Sequence, residues 1–117
     1  MNTNDTNRQK AHAMIDHIFK DLLPAQGMAE RSEQIKLSHR MLDTMLNGGI
    51  ALCDAGTGIG KTYAYLVAAA AANRSDTEVL RKPVIISTSS IALQNAVQTE
   101  YLPLLSCILL ALSLIHI

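Results

Sequence analysis

Cysteine is nearly absent, Cys53 and Cys107 being the only two in 117 residues. That excludes a disulfide framework and a cysteine-rich metal centre, and it fits a reduced intracellular setting. An excess of charge of either sign is also missing. Ten basic residues balance ten acidic ones, six against six up to Asn47 and four against four beyond it. That balance argues against affinity that comes mainly from neutralising many phosphates, while a grip on a few phosphates stays open. The N-terminus, MNTNDTNRQKAHAM, lacks the apolar run of a signal peptide, so the cytoplasm is the expected location. His12, His17 and His39 have no metal-ligand spacing with the cysteines or with a carboxylate cluster, and surface or helix-face positions are expected for them. No internal repeat is present, and the length allows one modest domain or part of one.

Between these absences lies a regular alternation of patterns. Ile15, Ile18, Phe19, Leu22 and Leu23 recur at helical spacing over residues 5–23, with Asn4, Asp5 and Thr6 as cap candidates and Pro24 as the stop. A link, PAQGMAE, leads to a second helical segment in which Ile35, Leu42, Met45 and Leu46 share a face with Ser38 between them. It ends at Asn47-Gly48-Gly49, where glycine accepts the left-handed cap conformation. IALC, residues 50–53, is short, apolar and bounded by glycine loops, as a buried parallel strand is. Residues 61–73, KTYAYLVAAAAAN, are rich in alanine and poor in charge, which predicts a helix packed on several sides. After a polar connection, PVIIST (83–88) is β-branched and predicts a second buried strand. SSIALQNAVQTEYL then predicts a serine-capped helix. Two helices followed by strand, loop, helix, strand and helix predict an α/β fold with a parallel sheet and right-handed crossovers.

The loop between the first strand and its helix carries the chemistry. AGTGIGKT, residues 55–62, fits the phosphate-binding pattern, with Ala55 in the slot usually held by the first glycine. Gly56, Gly58 and Gly60 permit the backbone angles that turn successive amides inward around a polyphosphate. Thr57 and Ile59 complete the cradle, and the helix that starts there directs its positive end at the same phosphates. Lys61 is suited to the β- and γ-phosphates, and the Thr62 hydroxyl to the Mg²⁺ that bridges them. A glycine-rich turn that only joins a strand to a helix is the alternative, and the strand-before, helix-after context favours a nucleotide.

Taken with their flanks, RSEQIKLSHRML, DAGTGIGKTYAYL and VIISTSSIALQNAVQTEYLPLL resemble the N-terminal part of the damage-inducible G (DinG) helicases, in the XPD-like group of superfamily 2. The resemblance covers about residues 12–105 and implies a partial RecA-like P-loop NTPase domain. It implies that Gln34, in the element with Arg31, recognises the adenine of ATP. Asp54 stands where the family commonly has Glu, and Tyr63 follows the loop as a similar residue does in the family. The resemblance also assigns Ser87, Thr88 and the Leu93-Gln94 pair to the backbone of single-stranded DNA. Physically, hydroxyls and amides at a helix start suit a phosphate, but the same serines and threonine also suit simple capping. Gln34 likewise has the alternative of a first-turn residue facing water. Cys53 is expected to pack as a small apolar side chain. An iron–sulfur cluster is possible in a full-length parent but not here, since Cys107 cannot hold one alone.

The implied activity is ATP-dependent unwinding of, or translocation on, single-stranded DNA in replication or repair. Such an enzyme needs a later acidic motif and arginines from a second motor domain. No Asp-Glu pair follows Thr88 and the last acidic residue is Glu100, so the chain alone is expected to be inactive. The expected organisation is an N-terminal helix and link (1–27), the truncated ATP-binding domain (28–105) and an apolar tail (106–117). Two rivals are a small P-loop kinase or other nucleotide-handling ATPase, and an inert truncated chain. Against the kinase, the only arginines after the loop are Arg74 and Arg81, in one polar connection. Nothing in the sequence points to an oligomer. The tail from Leu102 has 16 residues, below the roughly 20 that span a bilayer, so no membrane anchor is expected. Its last six, LSLIHI, are encoded by CTG TCT CTT ATA CAC ATC, a transposon end used as a sequencing adapter. Residues 112–117 are therefore expected to be adapter read-through, and resequencing the locus should show different codons after 111. An uninterrupted genomic copy with those six codons would refute this.

Overall fold

The computed structural model describes residues 3–53, 60–75 and 84–115. The chain divides into two compact units, residues 1–83 and 84–117. In the first, α1 (Thr3–His17) continues through a π-helical turn (Ile18–Leu22) into the short α2 (Leu23–Ala25), followed by α3 (Ser32–Asn47) and α4 (Lys61–Ser75). The second unit holds α5 (Ile91–Ala96), another π-helical turn (Val97–Tyr101) and α6 (Leu102–Ile115). Among the described residues no helix is long and apolar enough to cross a membrane.

No strand is found among the described residues, so the expected α/β fold with a parallel RecA-like sheet is not seen there. The segments expected as strands, Ile50–Cys53 and Val84–Thr88, are irregular in their described parts. The reason is physical: a parallel strand is stable only when both faces are covered and a neighbouring strand pairs with it, and two strands alone are marginal at best. Here the apolar side chains are uncovered, with Ile50 90%, Leu52 96% and Ile85 87% exposed. The β-branched pattern therefore records a preference that the packing does not fulfil.

Proline does not stop the first helix. Pro24 lies within α2, two residues beyond a π-helical turn closed by the Leu23 N–H on the Ile18 carbonyl. A proline ring crowds the carbonyl four residues earlier and lacks an N–H. For Pro24 that carbonyl belongs to Lys20, inside the widened turn. Pro103 repeats the arrangement, following a π-helical turn in which the Leu102 N–H reaches the Val97 carbonyl. The first helix ends instead at Gly27, whose φ is 88°. There the Met28 amide reaches the Leu23 carbonyl at 3.1 Å and the Gly27 amide reaches Pro24 at 3.0 Å, the Schellman pattern that a glycine makes accessible. The predicted end of α3 stands, with Gly48 following Asn47 at φ 74°.

The core of the first unit is built on α4, which packs against both α1 and α3. Ala64, Val67, Ala68 and Ala71 are completely buried, as the many-sided packing predicted from its composition requires. Small side chains let neighbouring helices approach closely, and Ile15, Ile18 and Leu42, also fully buried, fill the space that remains. Truncating Leu42 to Ala should destabilise the chain by about 2–5 kcal/mol in a chemical denaturation measurement. An effect near zero would show that α3 does not form this core.

Candidate nucleotide site

The site is positioned by two polar contacts from α3 to the start of α4. Ser38, completely buried, donates its hydroxyl to the Ala64 carbonyl at 2.8 Å. One helical turn earlier, the Gln34 side-chain amide donates to the Gly60 carbonyl at 2.9 Å. Both rungs join residues 26 apart in sequence, so α3 and α4 run parallel in register along this seam. Gln34 is only 6% exposed, and it does not face water as a first-turn glutamine would. Burying an amide without a partner costs about 1–3 kcal/mol, and the Gly60 carbonyl supplies that partner.

Gly60 is the last residue before α4 and has φ 80°. Its carbonyl also accepts the Ala64 amide at 3.2 Å, the first helical bond of α4. A Cβ on this residue would run into the Gln34 amide nitrogen. Glycine is needed here twice over, for its backbone angle and for the room it leaves Gln34. Lys61, the first residue of α4, is exposed, and Thr62 is half-buried. Tyr63, which follows the loop, is 7% exposed and packs in the core. The remaining expected loop residues, Asp54, Ala55, Gly56, Thr57, Gly58 and Ile59, lie outside the described residues. A helix start offers amides that its own backbone does not use, directed out of the end where Gly60 and Lys61 sit, and that chemistry suits a phosphate. Among the described residues no group of three His, Cys, Asp or Glu side chains is placed to hold a metal ion.

The residues assigned to single-stranded DNA belong to the second unit. Ser87, Thr88 and Gln94 are all exposed. The Thr88 hydroxyl accepts the Ser90 amide at 3.1 Å, and the Ser90 hydroxyl accepts the Leu93 amide at 3.1 Å. The Ser90 hydroxyl thus caps α5 and the Thr88 hydroxyl braces the turn before it, whereas Ser87 and Gln94 extend into solvent. Cys53 and Cys107 are both exposed, so Cys53 does not pack as expected.

A second polar seam, between α1 and α3, went unrecognised in the sequence. Arg8 donates to the Asn47 side-chain oxygen at 2.6 Å, His12 meets Asp43 at 2.8 Å, and His39 meets Asp16 at 2.8 Å. Each step along α1 is four residues and is matched by four residues backward along α3, so these helices run antiparallel. The spacing was visible as two four-residue series, but only the pairing of the helices reveals that they match. His12 and His39 are consequently partnered histidines on facing sides of the two helices.

No protein-family profile matches the chain, and no solved structure does. Curated relatives do match. Over 86 residues, 74% of the chain, it is 38% identical to the 3'-5' exonuclease DinG of Bacillus subtilis, of which it covers 9%. It is 38% identical over 80 residues to the ATP-dependent DNA helicase YoaA of Escherichia coli, covering 68% of the chain and 11% of that protein. With the YoaA helicase of Haemophilus influenzae the identity is 35% over 78 residues, 67% of the chain and 11% of the relative. The chain thus spans about a tenth of the length of the curated relatives it matches.

The Gln34–Gly60 contact makes a measurable prediction. Gly60→Ala should destabilise the chain by roughly 1–3 kcal/mol through its backbone angle alone, with more from the collision. In a Gln34→Ala background the penalty should be smaller, because the collision is gone and only the backbone term remains. Equal penalties in the two backgrounds, read from denaturation midpoints, would show that the two residues do not meet.

Proposed function

The chain belongs to the DinG family of DNA helicases, and on that premise we propose that it is the ATP-binding portion of an ATP-dependent DNA helicase. The observation that carries the proposal is the 38% identity with a protein named as an ATP-dependent DNA helicase over 68% of this chain. The sequence AGTGIGKT, at the mouth of α4, supplies the chemistry. In this reading the backbone of residues 55–60 wraps the triphosphate, Lys61 neutralises its β- and γ-phosphates, and Thr62 holds Mg²⁺. Gln34, already seated against Gly60, links adenine recognition to the position of the loop. Ser87, Thr88 and Gln94 contact the backbone of single-stranded DNA, in a protein of the cytoplasm.

ATP supplies the free energy, and the chain's own contribution is to bind and orient it. Nucleotide binding is the activity proposed for the chain itself, with unwinding or translocation belonging to the whole helicase.

Calorimetric titration with Mg-ATP and Mg-GTP checks this. The chain should bind ATP in preference to GTP, Lys61→Ala should weaken binding by about tenfold or more, and Gln34→Ala should abolish the preference for adenine. No release of phosphate should accompany binding. Equal affinity for the two nucleotides, unchanged by Gln34→Ala, would favour an ATPase of another class, and absence of binding would favour an inert chain.

A further inference from the structure

The centre of the α1–α3 seam holds four titratable groups in one line, Asp43–His12–His39–Asp16. The Nδ1 atoms of His12 and His39 are 2.6 Å apart, while each Nε2 lies 2.8 Å from a carboxylate oxygen, of Asp43 and Asp16 respectively. The ring planes differ by 17° and the centroids are 4.8 Å apart. That separation is about what two ring radii and the short N···N contact span together, so the rings meet edge to edge with the nitrogens aimed at each other and are not face-stacked.

Counting protons along this line leaves one solution. An ionised carboxylate only accepts hydrogen bonds, so each Nε2 facing one must carry its proton. The two Nδ1 atoms are then left to each other. Two lone pairs at 2.6 Å repel, two N–H groups collide, and a single proton between them makes a short charge-assisted bond. We propose that His12 and His39 share one proton between their Nδ1 atoms, and that this shared proton is a latch holding α1 on α3.

The surroundings support a single added positive charge. Asp16 and Asp43 flank the pair, Arg8 of α1 approaches Asp43 at 3.5 Å, and Lys20 in the π-helical turn approaches Asp16 at 3.9 Å. α4, which packs on both helices, carries its own charges at its ends, Lys61 and Arg74, and its tyrosines, Tyr63 and Tyr65, in its first turn and a half. The histidine side chains are 28% and 25% exposed, open enough to exchange protons with solvent.

Because α3 also carries Gln34 and Ser38 to α4, the latch secures the helix that positions Gly60.

The test is nuclear magnetic resonance of the 117-residue chain with ¹⁵N-labelled histidine, in EDTA so that no metal replaces the proton. Near neutral pH the Nδ1 atoms of His12 and His39 should show matched shifts midway between protonated and bare nitrogen, whereas His17, bonded to Asp21 outside the line, should not match them. Bare Nδ1 on both His12 and His39, or two unlike shifts of one fully protonated and one bare nitrogen, would overturn the proposal. Denaturation midpoints add a second readout: His39→Gln, which keeps an amide donor for Asp16 but cannot share a proton with His12, should lower the midpoint. An unchanged midpoint would also overturn it, and should the variant fail to fold, the wild-type spectra decide alone.

Discussion

The first unit depends on two hydrogen bonds from α3 to the start of α4. Ser38 and Gln34 lie one turn apart on one helix and bind carbonyls one turn apart on the other. Because both donors are buried, sliding either helix by a residue would leave them without acceptors, at about 1–3 kcal/mol each. Apolar contacts between alanines would tolerate such a slip; these bonds do not. They specify the register, and with it the point at which α4 begins and the direction in which its first amides face.

Around that register the other elements fall into place by ordinary packing. The alanines of α4 admit α1 and α3 on different sides, while Ile15, Ile18, Leu42 and Val67 fill the interior. The polar rungs Arg8–Asn47, His12–Asp43 and Asp16–His39 then fix the antiparallel register of α1 on α3 at the partly exposed margin. Two seams of opposite direction, each with a four-residue step, thus hold one helix between two others. The π-helical turns before Pro24 and Pro103 serve continuity, giving a proline room where a regular turn would bring its ring against a carbonyl.

Much of this was legible in the residues. The helices at 32–47 and 61–75, the many-sided burial of the alanine-rich one, the cap at Gly48 and the start of α5 at Ser90 follow from periodicity and capping chemistry, which act over a few residues. Membership of the DinG family was legible for a different reason: the motifs carry chemistry that needs particular residue types in a particular order. The sheet was misread because a strand's existence depends on neighbours that a local pattern does not contain. Ile50, Leu52 and Ile85 have the side chains of buried strands and lie exposed. Pro24 was misread as a stop because the local rule holds for a regular helix, and this helix widens.

Taken alone, the sequence determined the helices at 32–47 and 61–75, the glycine that follows Asn47, and which chemistry a nucleotide loop would supply, since each depends on side-chain type and short-range backbone geometry. The tertiary structure alone decided that Gln34 turns inward to Gly60, that Tyr63 joins the core, and that His12 and His39 face each other between two carboxylates. Those facts join residues that are 23 or more apart along the chain, or depend on packing from such residues. Contacts of that reach are set by which helix faces meet and in what register, and no local pattern encodes that.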